Sequence, residues 1–417
     1  MKYGCIGEKL GHSFSKEIHN RLADYTYELK ELSREELGPF MEAREFSAIN
    51  VTIPYKQDVI PYLSEISPQA KAIGAVNTIV NRNGKLYGYN TDFFGMRALI
   101  LRAGMDLKGR KVVIFGRGGT SRTAQAVAAD LGAAEIIVAS RSGLSGITYE
   151  QAKTTQCDAD FIINTTPCGM YPNIHTVAMD LDSYTNLKGV VDVVYNPLRT
   201  ELVLRARERG IPAVCGLYML VAQAAYAVEY FLDTKISVEK IEEVFREIFS
   251  SKQNIVLTGM PGSGKTTIGQ KVAEALGRSF LDTDVLLTER AGASPAEIIP
   301  RDGEQAFRDL EGAVIDEQAA PLTGCVIATG GGAILRDQNV KNLKRNGRVI
   351  FLDRPLEEIL PTDDRPLSSS REALEKRYRE RYSRYCETAD HIISPASDIS
   401  AVCNEILEDI KHENSCD

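Results

Sequence analysis

The segment Gly259–Thr266 has the residue types and the spacing that suggest chemistry most directly. It reads Gly-Met-Pro-Gly-Ser-Gly-Lys-Thr, a complete phosphate-binding loop, between an apolar strand at Ile255–Leu257 and a helical pattern at Thr267–Leu276. Its glycines let backbone N–H groups approach nucleotide phosphates, while Lys265 supplies a positive charge and the Thr266 hydroxyl can bind magnesium. The strand, loop and helix together predict nucleotide binding. The alternative is a chance glycine-rich turn.

A second glycine-rich turn lies in the first half of the chain. The apolar strand Lys111–Phe115 is followed by Gly-Arg-Gly-Gly-Thr-Ser-Arg at residues 116–122 and an alanine-rich helix, which is typical of dinucleotide binding, although Ser121 replaces the third glycine. The next strand, Glu135–Ala139, ends in Ser-Arg, where an NAD enzyme places an acidic residue on the ribose 2′-hydroxyl. Arg141 favours NADP instead, because a guanidinium can pair with a 2′-phosphate. A purely structural turn is the alternative.

Short polar motifs separated by apolar stretches precede this turn. Ser13 and Ser15 flank a phenylalanine, and in an extended segment both hydroxyls would face one ligand group. Lys56 comes just after a strand and a proline turn, and Asp92 comes just before the helical pattern Phe93–Ala103. Taken alone, Lys56 fits a solvated surface charge and Asp92 fits a helix N-cap. Spacing alone does not decide between these interpretations and a site.

The second half carries further polar pairs beyond the phosphate-binding loop. Asp282 and Asp284 lie two residues apart near a strand end, so they should face the same direction and suit magnesium and an acceptor hydroxyl. Arg308 and Glu311 are one helical turn apart, for which a surface ion pair is the default explanation. The glycines at 330–332 follow an apolar strand and form an exposed backbone nest. Later candidates are Arg365, before a turn, and Arg381 and Tyr385, on one helix face.

Composition narrows the class of protein. The 417 residues suffice for two or three domains, and 43% hydrophobic with 25% charged residues is ordinary for globular proteins. A net charge of −8 disfavours nucleic acid or an anionic membrane as partner and favours small molecules. The eight cysteines contain no Cys-x-x-Cys pair, which argues against a zinc site or a disulfide framework. Scattered cysteines of this kind favour a reducing compartment, so we predict a cytoplasmic protein. The first residues lack the pattern of a signal peptide, so none is predicted, and the apolar stretch Leu217–Val228 is too short to span a bilayer.

The first half closely resembles shikimate dehydrogenase over residues 1–249. The motifs that carry the resemblance stand in the family's order, at Gly11–Ser15, Asn50–Lys56, Gly74–Thr78, Asn90–Asp92, Asn164–Pro167 and Gly216–Gln223. The resemblance implies reduction of 3-dehydroshikimate to shikimate by NADPH, with Lys56 as proton donor and Asp92 holding it. The implied substrate contacts are Ser13, Ser15, Thr52, Asn77, Asp92, Tyr195 and Gln223. The implied cofactor contacts are Gly116, Gly118, Gly119, Thr120, Ser140, Arg141 and Gly216. One departure is that Ser-Gly-Leu-Ser follows Arg141 where many relatives have a further arginine.

The second half resembles shikimate kinase over residues 254 to about 412. The resemblance implies that shikimate is bound by Asp284, Arg308, Gly331 and Arg381, with Glu311 steadying Arg308. It implies nucleotide contacts at Gly262, Gly264, Lys265, Thr266 and Thr267, and magnesium at Thr266 and Asp282. Asp284 would deprotonate the attacking hydroxyl, while Lys265 and Arg365 would neutralise charge on the transferring phosphoryl group. The lid departs from the family, because residues 359–364 lack the usual arginine and glycine-containing loop.

Both resemblances point to the same carbocyclic acid, which supports one hypothesis. We predict a bifunctional cytoplasmic enzyme that makes shikimate and then phosphorylates it to shikimate 3-phosphate, using NADP(H), ATP and Mg²⁺. No nucleic acid or membrane partner is expected, and the oligomeric state is left open. One alternative is a quinate dehydrogenase fused to a kinase for another small hydroxylated acid. The other is a second half that senses ATP without transferring phosphate.

We predict an α/β protein throughout, divided by an amphipathic helix. Apolar residues recur in this helix at helical spacing, at Ile241, Val244, Phe245, Ile248 and Phe249. The pattern ends in the polar stretch 250–253, where we place the boundary between the halves. The predicted domains are a substrate domain at 1–95 completed by 216–249, a Rossmann NADP-binding domain at 96–215 and a P-loop kinase domain at 254–417.

Overall fold

The computed structural model describes residues 1–11, 13–144, 146–359, 370–394 and 398–413, with side chains to residue 410. These residues form helices and three β-sheets, so the predicted α/β class is confirmed. They divide into two compact units, 1–196 with 200–248 and 197–199 with 249–417. In the described part of the chain, no helix is both long and apolar enough to cross a membrane.

The first sheet and its helices are built from residues 3–102. The strands are β1 Tyr3–Gly7, β2 Tyr27–Glu31, β3 Ala48–Val51, β4 Glu65–Ile66, β5 Thr78–Arg82 and β6 Lys85–Tyr89. The helices are α1 Ser15–Leu22, α2 Arg34–Ala43, α3 Pro68–Ile73 and α4 Thr91–Arg102. The strand order is β2-β1-β3-β5-β6-β4, and only β5 runs against its neighbours. Every residue of β3 is buried, so the turn after β3 starts from a fixed point in the core.

The second sheet is parallel and is followed by two long helices. Its strands are β7 Lys111–Phe115, β8 Glu135–Ser140, β9 Ile147–Thr148, β10 Phe161–Asn164, β11 Gly189–Asp192 and β12 Ala213–Val214. The helices are α5 Gly119–Asp130, α6 Tyr149–Thr155, α7 Glu201–Glu208, α8 Leu217–Leu232 and α9 Val238–Lys252. The order β12-β11-β10-β7-β8-β9 is that of dinucleotide-binding sheets, with the switch point between β7 and β10. Helix α8 returns to pack against α1 and α4.

The third sheet is also parallel. Its strands are β13 Asn254–Thr258, β14 Phe280–Asp282, β15 Val326–Ala328, β16 Gly347–Leu352 and β17 His391–Ile393, in the order β14-β15-β13-β16-β17. The helices are α10 Lys265–Leu276, α11 Thr283–Ala291, α12 Pro295–Asp302, α13 Glu304–Val314, α14 Asp337–Asn346, α15 Arg371–Thr388 and α16 Ile399–Glu413. Both faces of β13 are buried, which explains its continuous apolar sequence.

The elements expected from the sequence occur with small shifts at their ends. Strand β13 extends the predicted strand by one residue at each end, and α10 starts at Lys265, two residues before the predicted helix. Helix α9 ends at Lys252, within the stretch where the amphipathic pattern stops. The hydrophobic periodicity therefore located these elements, while the exact ends depend on local capping.

Candidate active sites

Lys56 and Asp92 form an ion pair at the edge of the first sheet. Lys56 Nζ lies 2.5 Å from Asp92 Oδ2, and the two side chains are only 18% and 11% exposed. The turn that carries Lys56 is held by Tyr55, whose buried hydroxyl donates to the Leu32 carbonyl at 2.5 Å. The Val76 N–H donates to the Lys56 carbonyl at 2.8 Å. Lys56 is thus a positioned, mostly buried cation, and its interpretation as a solvated surface charge is wrong.

Asn90, and not Asp92, caps helix α4. The Asn90 side chain accepts a hydrogen bond from the Phe93 N–H at 3.2 Å and donates to the Ala75 carbonyl at 3.0 Å. The interpretation of Asp92 as the N-cap is therefore wrong, because the cap lies two residues earlier. The Asp92 carboxylate is left for Lys56, in a first helical turn where negative charge is favourable.

Asn77 and Gln223 meet in a buried polar network beside α4. Asn77 Nδ2 lies 3.4 Å from Gln223 Oε1, although the residues are 146 positions apart. Asn77 Oδ1 accepts from the Thr91 N–H at 2.7 Å, and Gln223 Nε2 donates to the Leu220 carbonyl at 2.9 Å. Since Thr91 precedes Asp92, this network brings two of the expected substrate contacts next to the Lys56–Asp92 pair.

Ser13 and Ser15 lie at the start of α1, so the expectation of an extended segment is wrong. Phe14 has helical dihedral angles, φ −78 and ψ −4, and Ser15 is the first residue of the helix. The two hydroxyls are nevertheless adjacent, because Ser13 Oγ donates to Ser15 Oγ at 3.0 Å. The Phe14 ring contacts the Tyr195 ring, with centroids 5.4 Å apart. Thr52 directly follows β3 and is half-buried.

The glycine-rich turn after β7 closes without a third glycine. Gly116 has φ +117, and a Cβ there would lie 2.3 Å from Thr165 Oγ1, so only glycine fits. Ser121 is fully buried and donates through Oγ to the Gly116 carbonyl at 2.8 Å, which ties the helix to the turn. Beside Gly118 there is open space, and α5 begins at Gly119. The first N–H groups of α5 are therefore accessible to a phosphate, which fits a dinucleotide.

The other expected cofactor contacts lie around this turn. Ser140 ends β8 and is buried, whereas Arg141 is exposed and Thr120 is half-buried in the first turn of α5. Gly216 precedes α8, and a Cβ there would lie 2.1 Å from the Val193 carbonyl oxygen. Only glycine fits at position 216, because any side chain there would clash with the backbone just after β11.

Sequence reasoning missed a buried carboxyl group at the end of β11. Asp192 has no exposed surface, and it accepts hydrogen bonds from Asn164 Nδ2 at 2.9 Å, the Val194 N–H at 3.1 Å and Thr200 Oγ1 at 2.7 Å. Asn164 ends the neighbouring strand β10 and also accepts from the Thr166 hydroxyl at 2.7 Å. The signal was an acidic residue closing an apolar strand. Burial raises the pKa of Asp192 to about 7, and the three hydrogen bonds oppose that shift.

This carboxyl group should make the stability of the dehydrogenase half depend on pH. The folded pKa of about 7 lies above the value of roughly 3.9 in an unfolded chain. The stabilisation by the neutral form is complete below the unfolded pKa and is lost as pH rises through the folded pKa. Asparagine is an isostere of the neutral carboxyl group. Between pH 5 and 8 we therefore expect the free energy of unfolding of the wild type to fall by about 3 kcal/mol relative to that of Asp192→Asn. Calorimetric Tm values of both proteins, for the transition that dinucleotide shifts upward, measure this. A Tm difference that stays constant across this range would contradict the pKa.

In the second unit, the phosphate-binding loop curves around the Lys265 side chain. Gly262 and Gly264 have φ +84 and +96, which let the loop turn back on itself. Lys265 Nζ donates to the carbonyls of Gly259 at 3.0 Å and Met260 at 2.9 Å, and the residue is buried. The expected nucleotide contacts Thr266 and Thr267 follow in the first turn of α10 and are exposed. The loop geometry fits the phosphates of a nucleoside triphosphate.

Arg308 is buried and held by two carboxylates on its own helix. Its Nη1 donates to Glu311 Oε2 at 2.7 Å and its Nη2 donates to Glu304 Oε1 at 3.2 Å. A Cβ on Gly332 would lie 2.2 Å from Arg308 Nη1, so the guanidinium lies against bare backbone. Burial raises the pKa of Glu311, and the Arg308 charge opposes this shift. The interpretation of Arg308 and Glu311 as a surface ion pair is therefore wrong, because both side chains are buried.

Arg381 joins this cluster from helix α15. Its Nη1 donates to the Gly331 carbonyl at 3.1 Å, and Arg381 is buried. Tyr385, one turn later, donates to the Gly331 carbonyl and, at 3.0 Å, to the Gly259 carbonyl. Burial raises the pKa of Tyr385 to about 12, so its hydroxyl stays a donor. Tyr385 thus links the glycine turn after β15 to the phosphate-binding loop. Two of the three glycines at 330–332 are buried, so the expectation that this backbone is exposed is wrong.

Asp282 and Asp284 do not share a strand, and the expectation that they face one direction as strand residues is wrong. Asp282 caps α11 by accepting from the Asp284 N–H at 3.0 Å, and Asp284 lies in the first helical turn. Thr266 Oγ1 donates to Asp282 Oδ2 at 2.8 Å. A Cβ on Gly330 would lie 2.6 Å from Asp284 Oδ1 and 2.8 Å from Glu311 Oε1. Asp282 therefore lies at the nucleotide loop, and Asp284 lies at the arginine cluster.

Thr266 and Asp282 are the residues expected to hold magnesium. Among the described side chains, no group of three or more His, Cys, Asp or Glu could hold a metal ion. Magnesium in nucleotide sites keeps several waters and needs only one or two protein ligands besides phosphate oxygens, so Thr266 with Asp282 fits that requirement. Arg365 and all of the lid segment 359–364 except Ile359 lie outside the described residues.

Fold and site together define a class of protein. The second sheet with its open turn at Gly116, together with the Lys56–Asp92 pair of the same compact unit, is typical of a dinucleotide-dependent oxidoreductase. The third sheet, with its phosphate-binding loop and buried arginines, is that of a phosphotransferase acting on a small anionic acceptor.

Comparison with known proteins gives the particular family of each part. Residues 5–79 match the shikimate dehydrogenase substrate binding domain, and residues 261–411 match shikimate kinase. A shikimate dehydrogenase (NADP(+)) of Clostridium perfringens is 37% identical over 266 residues, covering 59% of this chain and 97% of the relative. The chain therefore belongs to the shikimate dehydrogenase family and carries a shikimate kinase domain, as the sequence motifs predicted.

Two solved structures are similar to the first part of the chain. Shikimate dehydrogenase 1 from Peptoclostridium difficile is 36% identical with a TM-score of 0.56, covering 60% of this chain and 98% of the other. The enzyme from Thermus thermophilus in complex with NADP(H) and shikimate is 26% identical with a TM-score of 0.54, covering 59% of this chain and 99% of the other. Both likenesses confirm the fold of the first unit.

Proposed function

We propose that this chain catalyses two consecutive reactions, the reduction of 3-dehydroshikimate to shikimate by NADPH and the phosphorylation of shikimate by ATP. One observation carries the proposal. A single chain holds both a mostly buried Lys56–Asp92 pair in the unit with the dinucleotide-type turn and a buried Arg308–Glu311 pair in the unit with the phosphate-binding loop. The relatives of the first part are named as NADP(+)-dependent shikimate dehydrogenases, and the family of the second part is shikimate kinase. The product of the first reaction is then the substrate of the second.

In the first reaction, Lys56 donates the proton that the reduced ketone oxygen requires. When bound, the reduced nicotinamide supplies the hydride. Asp92 holds the ammonium group through its 2.5 Å contact and has a second oxygen free to accept from a substrate hydroxyl. Further groups that bind the carboxylate and hydroxyls of the substrate are Ser13, Ser15, Thr52, Asn77, Tyr195 and Gln223. Their polar groups fix the ketone carbon beside the cofactor.

The dinucleotide fits the groups around the second sheet. Its pyrophosphate would lie on the first N–H groups of α5, held by the backbone of Gly116, Gly118, Gly119 and Thr120. Ser140 and Arg141 would hold the adenosine ribose and its 2′-phosphate. Gly216 would lie beside the nicotinamide end, because the backbone there is close to the end of β11.

In the second reaction, Arg308 and Arg381 hold the shikimate carboxylate and Gly331 contacts it through the backbone. Asp284 accepts the proton of the attacking hydroxyl, since its carboxylate lies beside this cluster. ATP supplies the phosphoryl group, and its phosphates are bound by Gly262, Gly264, Thr267 and Lys265. Thr266 and Asp282 would hold magnesium, and Arg365 would neutralise charge during transfer. Positioning and electrostatics provide most of the acceleration.

We also propose the cellular location and the domain limits. The cysteines that the structure describes are all free thiols, which suits the reducing cytoplasm. The proposed domains are 1–95 completed by 216–249 for the substrate, 96–215 for NADP and 254–417 for the kinase.

A one-pot assay tests the whole proposal. Purified protein receives 3-dehydroshikimate, NADPH, magnesium and ATP, while NADPH absorbance and shikimate 3-phosphate are followed together. Both signals are expected. NADPH consumption with accumulation of shikimate would leave the second half as an ATP-sensing module, and no NADPH consumption would contradict the first reaction. A parallel assay with quinate and NAD separates the quinate alternative.

The proposed binding of the shikimate carboxylate by Arg308 and Arg381 gives a prediction for Arg308→Lys. Lysine keeps the positive charge beside Glu311, so the kinase unit should remain folded, but it cannot make the paired contacts of a guanidinium. We expect KM for shikimate to rise by about 10- to 100-fold, with KM for ATP and the dehydrogenase reaction unchanged. The control is Arg290→Lys, which alters an exposed pair with Glu317. An increase in KM for ATP alone would assign Arg308 to the nucleotide.

A further inference from the structure

Two exposed arginines follow neighbouring strands of the second sheet. Strands β7 and β8 are parallel, with Phe115 opposite Ala139, and the Gly116 N–H donates to the Ala139 carbonyl at 2.9 Å. Arg117 and Arg141 each come two residues after these paired positions. Since neighbouring strands are about 5 Å apart, both side chains start from one edge of the sheet, within reach of the same ligand group.

In the described residues, neither arginine is paired with a carboxylate. Both residues are exposed, and in the described parts of the chain neither guanidinium makes a hydrogen bond or an ion pair. Several other arginines of this unit form ion pairs with carboxylates, among them Arg21–Glu17, Arg97–Asp130, Arg102–Glu242 and Arg205–Glu201. Two unpaired cations on adjacent strand ends create a positive potential that an anion would relieve.

This position in the fold specifies which anion. In parallel dinucleotide-binding sheets, the end of the second strand lies at the adenosine ribose, where NADP carries its 2′-phosphate. The second strand here is β8, and Arg141 is the first residue after it. Between the end of β8 and the start of β9, Arg141 is the only cationic residue in the sequence, so this turn supplies a single positive charge. A phosphate monoester has between one and two negative charges at pH 7 and binds best between several donors.

A third exposed arginine, Arg122, lies on the side of the turn that faces the first sheet. Arg122 lies in the first turn of α5, and its Nη1 is 3.2 Å from the position of a Cβ on Gly74. Gly74 ends α3 next to the first sheet, on the substrate side of the turn. Arg122 is therefore directed at the substrate region, which leaves Arg117 as the cation that accompanies Arg141.

We propose that Arg117 is a second recognition residue for the 2′-phosphate of the dinucleotide and determines, together with Arg141, the selectivity for NADPH over NADH. The inference rests on the proposed function of the first unit and names a specificity residue within it. NADH has an uncharged 2′-hydroxyl, so it gains nothing from either guanidinium. A contact of Arg117 with the pyrophosphate would instead affect both dinucleotides equally.

The test uses the full-length chain with Arg117→Ser. Titration calorimetry measures the Kd values of 2′,5′-ADP and 5′-AMP, and assays give kcat/KM with NADPH and with NADH. We expect the Kd of 2′,5′-ADP to rise about 10- to 100-fold and kcat/KM for NADPH to fall by a similar factor. The Kd of 5′-AMP and kcat/KM for NADH, which both lack the 2′-phosphate, should stay within about twofold. Arg117→Ser with Arg141→Ser should bind 2′,5′-ADP no better than 5′-AMP.

The control variant is Lys108→Ser, which removes one positive charge from an exposed residue before the start of β7, at the opposite edge of the same sheet. Equal losses with NADPH and NADH, the same loss in Lys108→Ser, or an unchanged Kd for 2′,5′-ADP would each overturn the inference. Failure of the proposed function looks different. Wild-type protein would then show no preference for 2′,5′-ADP over 5′-AMP and no reduction of 3-dehydroshikimate with NADPH.

Discussion

Replacing Lys56 by methionine is expected to lower kcat for 3-dehydroshikimate reduction by about 10³-fold. A positioned general acid contributes roughly 10²- to 10⁴-fold, and Lys56 is the ammonium group that Asp92 holds at 2.5 Å. Methionine has a similar length but no proton to donate. KM for 3-dehydroshikimate should change by less than about tenfold, because the polar groups of Asn77 and Gln223 remain in place. Steady-state kinetics with NADPH in excess measure both constants.

The same molecule contains an internal control for this experiment. Shikimate phosphorylation depends on residues of the other compact unit, so its rate should be unchanged in Lys56→Met. Lys56→Arg separates proton transfer from charge. Arginine can keep the ion pair with Asp92 but releases its proton much less readily, so KM should approach wild type while kcat stays low. A variant Lys56→Met with normal kcat and a raised KM would make Lys56 a binding residue only.

The contacts between distant motifs are what sequence patterns alone could not provide. Asn77 and Gln223 meet although 146 positions separate them, and nothing in their local sequence indicates this. Their pairing depends on α8 returning to pack against α1 and α4 after the second sheet is complete. Only the resemblance to a known family, carried by ordered motifs, placed them in one site. The sequence did indicate the helix itself, because the nearly continuous apolar stretch Leu217–Val228 is typical of a buried helix, and α8 is mostly buried.

The errors of sequence reasoning were local and have a common physical cause. Asp282 accepts a hydrogen bond from the Asp284 N–H, and this cap starts a helix where a strand end was expected. Asn90 caps α4 two residues before Asp92 in the same way. Side-chain hydrogen bonds at element ends decide between strand and helix over one or two residues, and alternation patterns do not record them.

Asp192 shows a different limit. An acid at the end of an apolar strand was visible in the sequence, but its importance arises from burial and from three hydrogen bonds with partners at 164, 194 and 200. Arg308 is similar, since the sequence offered Glu311 as its partner but could not show that both side chains lie within the protein. Burial is a property of the assembled fold, and it makes the loss of either partner of a charge pair much more costly than at the surface.

Replacing Lys265 by methionine should lower kcat for shikimate phosphorylation by about 10³-fold or more and leave 3-dehydroshikimate reduction unchanged. Groups that neutralise charge on a transferring phosphoryl group contribute roughly 10³- to 10⁵-fold. Lys265 Nζ is held inside the loop by the Gly259 and Met260 carbonyls, next to the N–H groups that bind phosphates. The loop itself should survive the change, because Tyr385 still donates to the Gly259 carbonyl.

The matched control for this variant is Lys271→Met, which makes the same substitution on an exposed residue of α10. Phosphorylation should be normal there. Lys265→Met removes a positive charge from the phosphate-binding loop and not from the residues proposed to bind the acceptor. ATP binding should therefore weaken, while KM for shikimate should change little. If phosphorylation persisted at near wild-type kcat in Lys265→Met, charge neutralisation would have to come from another cation, and the role proposed for the phosphate-binding loop would be wrong. A parallel loss in Lys271→Met would instead attribute the effect to the overall charge of the kinase unit.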